Sequence, residues 1–138
     1  MTQRNIHGNW TMNFENRILQ SKITGSTNTE LSQAWFEDMK CHLSSSEDNY
    51  MTPWVNLFDF RDWDLTTIDS FGNANDNIHW MSENNCILLA FVFSKKMQHF
   101  AMEKGLSNNG IVRFFFDYGE AYQACLDKLE GAQRQQDK

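Results

Sequence analysis

The sequence predicts an α/β protein with a mixed, mostly parallel sheet and helices packed on it. Three observations carry this reading. After an opening pair of alternating segments, short apolar runs take turns with stretches whose apolar residues recur three or four apart. One run, CILLAFVF at 86–93, is apolar on both faces, as a strand covered twice or paired on both edges requires. The connections between elements are short, as strand–helix units prefer. A chain of 138 residues is long enough for one domain with a real core, and we take 1–138 as a single domain with its ordered part at about 7–130.

The elements follow in order. In HGNWTMNFENRILQSKITG, residues 7–25, Trp10, Met12 and Phe14 share one face by alternation, and Ile18 and Leu19 begin a second strand that continues to Ile23. Glu15-Asn16 is the expected tight turn, which makes the pair a hairpin, and Gly25 ends it. Thr27 and Glu30 have capping-box spacing, and Leu31, Trp35, Met39 and Leu43 then recur on one helical face. The polar stretch 44–49 reads as a surface loop. Pro53 opens a strand over 54–60, where its missing N–H does least harm.

Thr66 is the expected N-cap of a second helix whose apolar stripe is Ile68, Phe71, Ile78 and Met81. Gly72, Asn73, Asn75 and Asn77 are weak helix formers, so this helix depends on packing. After the 86–93 strand, Ser94 is expected to cap a third helix with Met97, Phe100 and Ala101 inward and Gly105 as its stop. Residues 111–116 form the last strand. Asp117, three before Glu120, opens the last helix, which carries Ala121, Ala124, Cys125 and Leu129 and is closed by Gly131, leaving a frayed polar tail. The order is ββαβαβαβα, with right-handed crossovers.

Composition narrows the function classes. The 11 Phe, 5 Trp and 3 Tyr predict a ring-rich core. A net charge of −6 opposes nucleic-acid binding, because no counterion release would drive it. Cys41, Cys86 and Cys125 are odd in number and far apart, unlike a secreted disulfide scaffold, and Cys86 and Cys125 read as buried thiols. The opening MTQRNIHG has no apolar signal region and the longest apolar run is too short to span a bilayer, so a cytoplasmic protein without a membrane segment is expected.

Function in such sheets gathers outside the carboxyl ends of the strands. Here those ends offer Gly25-Ser26, residues 59–62, Ser94-Lys95-Lys96 and Asp117. A phospho-receiver needs an acidic pair that is missing and a Lys where Asp117 stands. His7, His42, His79 and His99 are scattered and lack metal-ligand spacing, so no metal or cofactor is expected. Asp59, Asp62 and Asp64 have no second ligand cluster and read as an acidic turn. No nucleophile elbow, CxxC or phosphate loop is present, so an enzyme is not expected. Trp54, Trp63 and Trp80 either line a ligand cleft or pack the core; Trp63, between two aspartates in a turn, either plugs a gap or forms a contact surface.

Four segments carry a resemblance: the hairpin with GNW, PWVNLFDFRDW, CILLAFVF, and VRFFFDYGEAYQACL. The pattern over about 7–130, with its local D-x-R-D-W and R-F-F-x-D-x-x-E-A, resembles small STAS-like bacterial proteins of unassigned function that share the fold of the anti-sigma-factor antagonists. The resemblance implies a protein-binding module rather than an enzyme. In the antagonists a serine at the start of the second helix is phosphorylated and partner binding is turned off; by motif the matching residue is Ser70. The segment from Asp59 to Asp69 is about two residues longer than theirs, which brings Thr66 and Thr67 nearer the helix's positive end, where phosphate is welcome.

The expected docking surface is Asp59, Arg61, Asp62, Trp63 and Asp64, with Ser94, Lys95 and Lys96 beside it. An exposed apolar patch near Trp63 and no deep pocket would suit this reading. The alternative is a small-molecule or lipid binder with an aromatic-lined apolar cleft, which needs a closed cavity of about 300 Å3 or more. A switch at Ser70 requires a reachable hydroxyl. The hairpin's edge makes a homodimer possible.

Overall fold

Residues 6–44, 51–66, 70–107 and 110–136 are described by a computed structural model. The hairpin forms as the alternation requires. Strands β1 (Asn9–Glu15) and β2 (Ile18–Thr27) pair antiparallel, with Glu15 opposite Ile18. The turn is Asn16-Arg17, one residue later than expected, with φ of 53° and 67°. Two left-handed central residues make the turn whose twist matches that of the strands. The Arg17 guanidinium donates to the carbonyls of Thr52 and Pro53, pinning the turn to the start of the next strand.

That strand, β3 (Trp54–Asp59), is the buried centre of the sheet; every one of its residues is covered. With β5 (Cys86–Val92) and β6 (Val112–Phe115) it gives the order β1-β2-β3-β5-β6, parallel from β2 onward. Side chains alternate across this sheet. Leu89, Phe91 and Phe93 join the core beneath α1 (Thr29–Ser44) and α2 (Ser70–Glu83), with Met102 from α3 (Lys96–Gly105). Leu88, Ala90 and Val92 face Ala121 and Cys125 of α4 (Tyr118–Gln136). The result is a three-layer α/β arrangement whose larger core is built on rings, with Phe58 stacked on Phe91 at 4.8 Å.

The α/β class and the sequence of expected elements hold, with one strand added. Residues expected to form a turn and a helix start are β4 (Trp63–Thr66), parallel to β2. The reason lies in β2, which outruns β3. Its partner there ends at Asp59, opposite Lys22, and beyond that point β4 takes up the pairing at Gly25 and Thr27. Gly25, with φ +79°, sits where β2 changes partner, and its N–H donates to the Asp62 carbonyl at 3.1 Å.

The caps shift accordingly. Thr66 ends a strand and does not cap α2, which begins at Ser70; Ile68 lies outside the described residues. Thr27 belongs to β2, and Asn28 caps α1 instead, its Oδ1 accepting the Leu31 N–H at 3.1 Å. Leu31, Trp35, Met39 and Leu43 are buried as the spacing requires. Asp117 caps α4, accepting the Glu120 N–H at 2.8 Å. That helix passes through Gly131 to Gln136, so neither a stop at Gly131 nor a frayed end there is observed. The third helix is rotated relative to its predicted face: Gln98 and Met102 point inward, while Met97 and Phe100 are exposed.

Candidate functional site

The turn after β3 is held from both sides. Asp59, at the strand's end, is buried. Its Oδ1 accepts the backbone N–H of Arg61 at 3.1 Å and the Arg61 Nε at 2.9 Å, and its Oδ2 accepts Nη2 at 2.9 Å. Burial by itself would raise the Asp59 pKa, but the Arg61 hydrogen bonds and the charges of Arg61 and Lys22 outweigh it, so the carboxyl lies below its ordinary 3.8. Arg61 lies over the Tyr118 ring, 5.1 Å from its centroid, and the Tyr118 hydroxyl donates to Gln20 Oε1 at 3.0 Å. The turn is thereby tied to α4 and to β2. Lys22 pairs with Asp62 at 3.2 Å on the surface.

A pH dependence follows with a defined sign. A folded-state pKa below the unfolded one stabilises the fold above the unfolded value, and that stability is lost as pH falls through the folded pKa. Thermal midpoints are therefore expected to fall below pH 3.8, and Asp59→Asn is expected to flatten this part of the profile. An unchanged profile would show that Asp59 is not an acid-sensitive anchor.

On the other side of the turn stands Gln98, 2% exposed. Its Oε1 accepts the N–H groups of Ser94 at 2.8 Å and Lys95 at 2.9 Å. Its Nε2 donates to the carbonyls of Arg61 at 3.1 Å and Trp63 at 2.8 Å. One side-chain amide thus joins the turn to the start of α3. Ser94 adds a second tie, its hydroxyl donating to the Arg61 carbonyl at 2.6 Å, and it does not cap the helix; Lys95 occupies that position.

The expected surface is sorted by this arrangement. Trp63 is corrected: its ring is 2% exposed, packs 5.1 Å from Phe60, and donates from Nε1 to Thr27 Oγ1 at 3.0 Å. It fills the space where β2 outruns β3 and offers no contact surface. Asp59 is likewise internal framework. Arg61, Asp62, Asp64, Ser94, Lys95 and Lys96 remain exposed, and Met97 and Phe100 adjoin them at 65% and 60% exposure. The apolar part of this surface therefore comes from α3, not from the turn.

The hydroxyl pair near α2 is internal too. Thr66 donates to the Thr27 carbonyl at 3.0 Å, so the one proton left between Thr66 and Ser70 is donated by Ser70 to Thr66 Oγ1. Ser70 is 4% exposed, so its hydroxyl is not presented for modification in this conformation. Thr67 lies outside the described residues.

Two depressions bear on ligand binding. An apolar cleft beneath α1 and α2 has aromatic walls, including Trp35, Phe58, Phe60, Trp63, Phe71 and Phe91, but its volume is about 90 Å3. That is well short of the roughly 300 Å3 at the lower end for small-molecule sites. A polar groove of about 340 Å3 lies over Gln20, Lys22, Asp59, Arg61 and Tyr118. Its two cations are paired with Asp59 and Asp62, so it has no surplus charge to hold an anion. Among the described residues no three His, Cys, Asp or Glu side chains converge as metal ligands, and no helix is long and apolar enough to cross a membrane.

Sequence reasoning missed Gln98 and the Arg61–Tyr118 contact. The signal for Gln98 was its place at the third helical position, where a glutamine reaches back to the cap; for Tyr118 there was none, since the contact joins residues far apart in the chain.

No family model and no curated protein matches the sequence. Solved structures do match. An uncharacterized DUF3478-family protein with a SpoIIAA-like fold from Shewanella loihica is similar with a TM-score of 0.62 at 18% identity, over 88% of this chain and 96% of that one. An anti-sigma factor antagonist from Mycobacterium paratuberculosis gives 0.57 at 6% identity, over 86% and 94%. The anti-sigma factor antagonist SpoIIAA in its unphosphorylated form gives 0.57 at 8% identity, over 89% and 99%. The chain therefore has the SpoIIAA-like, STAS-like fold, in agreement with the order of its elements and the mixed sheet.

Proposed function

We propose that the protein is a non-catalytic interaction module that docks a protein partner on the turn 61–64 and the first turns of α3. The observation that carries this reading is the Gln98 tie. It makes Asp62, Asp64, Lys95, Lys96, Met97 and Phe100 one preorganised surface with acidic, basic and apolar parts. Preorganisation lowers the entropic cost of binding, and exposed large apolar side chains beside charges are what an interface core and rim require. The similar structures named as anti-sigma factor antagonists support a regulatory role of this kind. Modification of Ser70 forms no part of the reading, because its hydroxyl is internal. The three free thiols suit the reducing cytoplasm, and the acidic net charge disfavours nucleic acid.

Quantitative affinity capture with the wild-type protein and with Met97→Asp/Phe100→Asp tests it. Both substituted side chains are exposed, so circular dichroism should be unchanged. A partner retained by the wild type should fall roughly tenfold or more with the variant, as loss of interface anchors does. Equal retention by the two proteins overturns the proposed surface.

A further inference from the structure

The two edges of the sheet are managed differently. The β6 edge has four residues and carries Arg113. The β1 edge has seven residues, pairs with β2 without a bulge, and contains no Lys, Arg or Pro. Those are the devices that keep edges from pairing, and β1 lacks them.

Which of its backbone groups face outward follows from the hairpin. Val55 donates to the Arg17 carbonyl, so odd-numbered residues at the start of β2 face β3 and even-numbered ones face β1. Glu15 opposite Ile18 across a two-residue turn then places the odd residues of β1 in the ladder with β2. Trp10, Met12 and Phe14 direct their N–H and C=O groups outward. The Trp10 N–H is held by the side-chain carbonyl of its neighbour Asn9, at 2.9 Å, a contact that a second strand can replace.

We propose that two copies of this chain join edge to edge through β1, antiparallel about a two-fold axis at Met12, to form one continuous sheet. Only even residues can pair, and the register centred on Met12 is the one that uses all three: Met12 with Met12 of the copy, and Trp10 with Phe14 in both directions. Side chains agree with it. Half-buried Trp10 and Phe14 meet across the axis on the helix-covered face, an aromatic pair of the kind that stabilises antiparallel strands. On the other face Thr11 meets Asn13, and Glu15, the only charged residue of β1, meets Asn9 rather than a second carboxylate. This self-complementarity singles out a second copy as the occupant. The surface is distinct from the one on α3, so either can fail without the other.

Light scattering on a sizing column, over a range of concentrations, should give twice the 16.2 kDa chain mass at the upper end. Met12→Pro should be monomeric, because the lost N–H faces outward and proline is tolerated on an edge strand. Register is tested by oxidation in a Cys41→Ser background; Cys86 and Cys125 are buried and do not compete. Met12→Cys should crosslink, since directly paired Cα atoms about 5.5 Å apart lie in disulfide range. Thr11→Cys should not, because its counterpart is a diagonal neighbour about 7–8 Å away. If Met12→Pro fails to fold, the cysteine pair decides. A wild-type protein monomeric at all concentrations, a folded Met12→Pro dimer, or equal crosslinking at 11 and 12 overturns the proposal. So does a monomer whose β1 amides become protected only when a different protein is added.

Discussion

Gln98→Ala is expected to destabilise the protein by about 3 kcal/mol, because three backbone groups lose their partner, a fourth loses one of two, and each buried unsatisfied group costs about 1–3 kcal/mol before water repairs the exposed ones. The three are the N–H groups of Ser94 and Lys95 and the carbonyl of Trp63; the Arg61 carbonyl keeps the Ser94 hydroxyl. In a domain of this size such a loss lowers the thermal midpoint by about 10 °C, which circular dichroism or calorimetry reads directly. Gln98→Glu separates the two halves of the tie. A carboxylate still accepts from Ser94 and Lys95 but cannot donate to Arg61 and Trp63, so it should retain only part of the stability. If Gln98→Ala melts with the wild type, the turn and α3 are not joined through this residue. The preorganised surface would then lose its support as well.

Trp63→Ala is expected to cost about 3–5 kcal/mol, the range for removing a large ring from a packed core. Trp63 lies among Phe60 and its neighbours, and its indole N–H is bonded to Thr27. Trp63→Phe keeps most of the ring and loses the hydrogen bond, so a cost of about 1–2 kcal/mol is expected. Denaturant midpoints at a common m-value measure both. A change for Trp63→Ala within about 0.5 kcal/mol, as for an ordinary surface position, would return Trp63 to the role of a contact residue.

These two residues mark the boundary of what a linear reading reaches. The hairpin face Trp10-Met12-Phe14, the α1 stripe from Leu31 to Leu43, the doubly covered 86–93 strand and the Asp117 cap were all legible, because each is a local repeat or a capping pair a few residues apart. At 59–64 and 94–96 the exposure of Arg61, Asp62, Asp64, Lys95 and Lys96 was legible, and the burial of Asp59 was not. Nor was the internal order of the candidate site. Trp63 turns inward because β2 extends past β3 and leaves a gap that an indole fills. Met97 and Phe100 turn outward because Gln98 must reach two carbonyls some 35 residues earlier in the chain. Ser70 is hidden because β4 delays the start of α2 and brings Thr66 against it.

Periodicity thus sufficed for the layers and for the order of every element but β4, since it acts within one element, and strand direction pointed to the carboxyl end of the sheet. Which side chains are framework and which are surface at that end was settled by contacts between elements. Those depend on unequal strand lengths and on polar groups that must find partners across the fold, and neither is written in any short stretch of the chain.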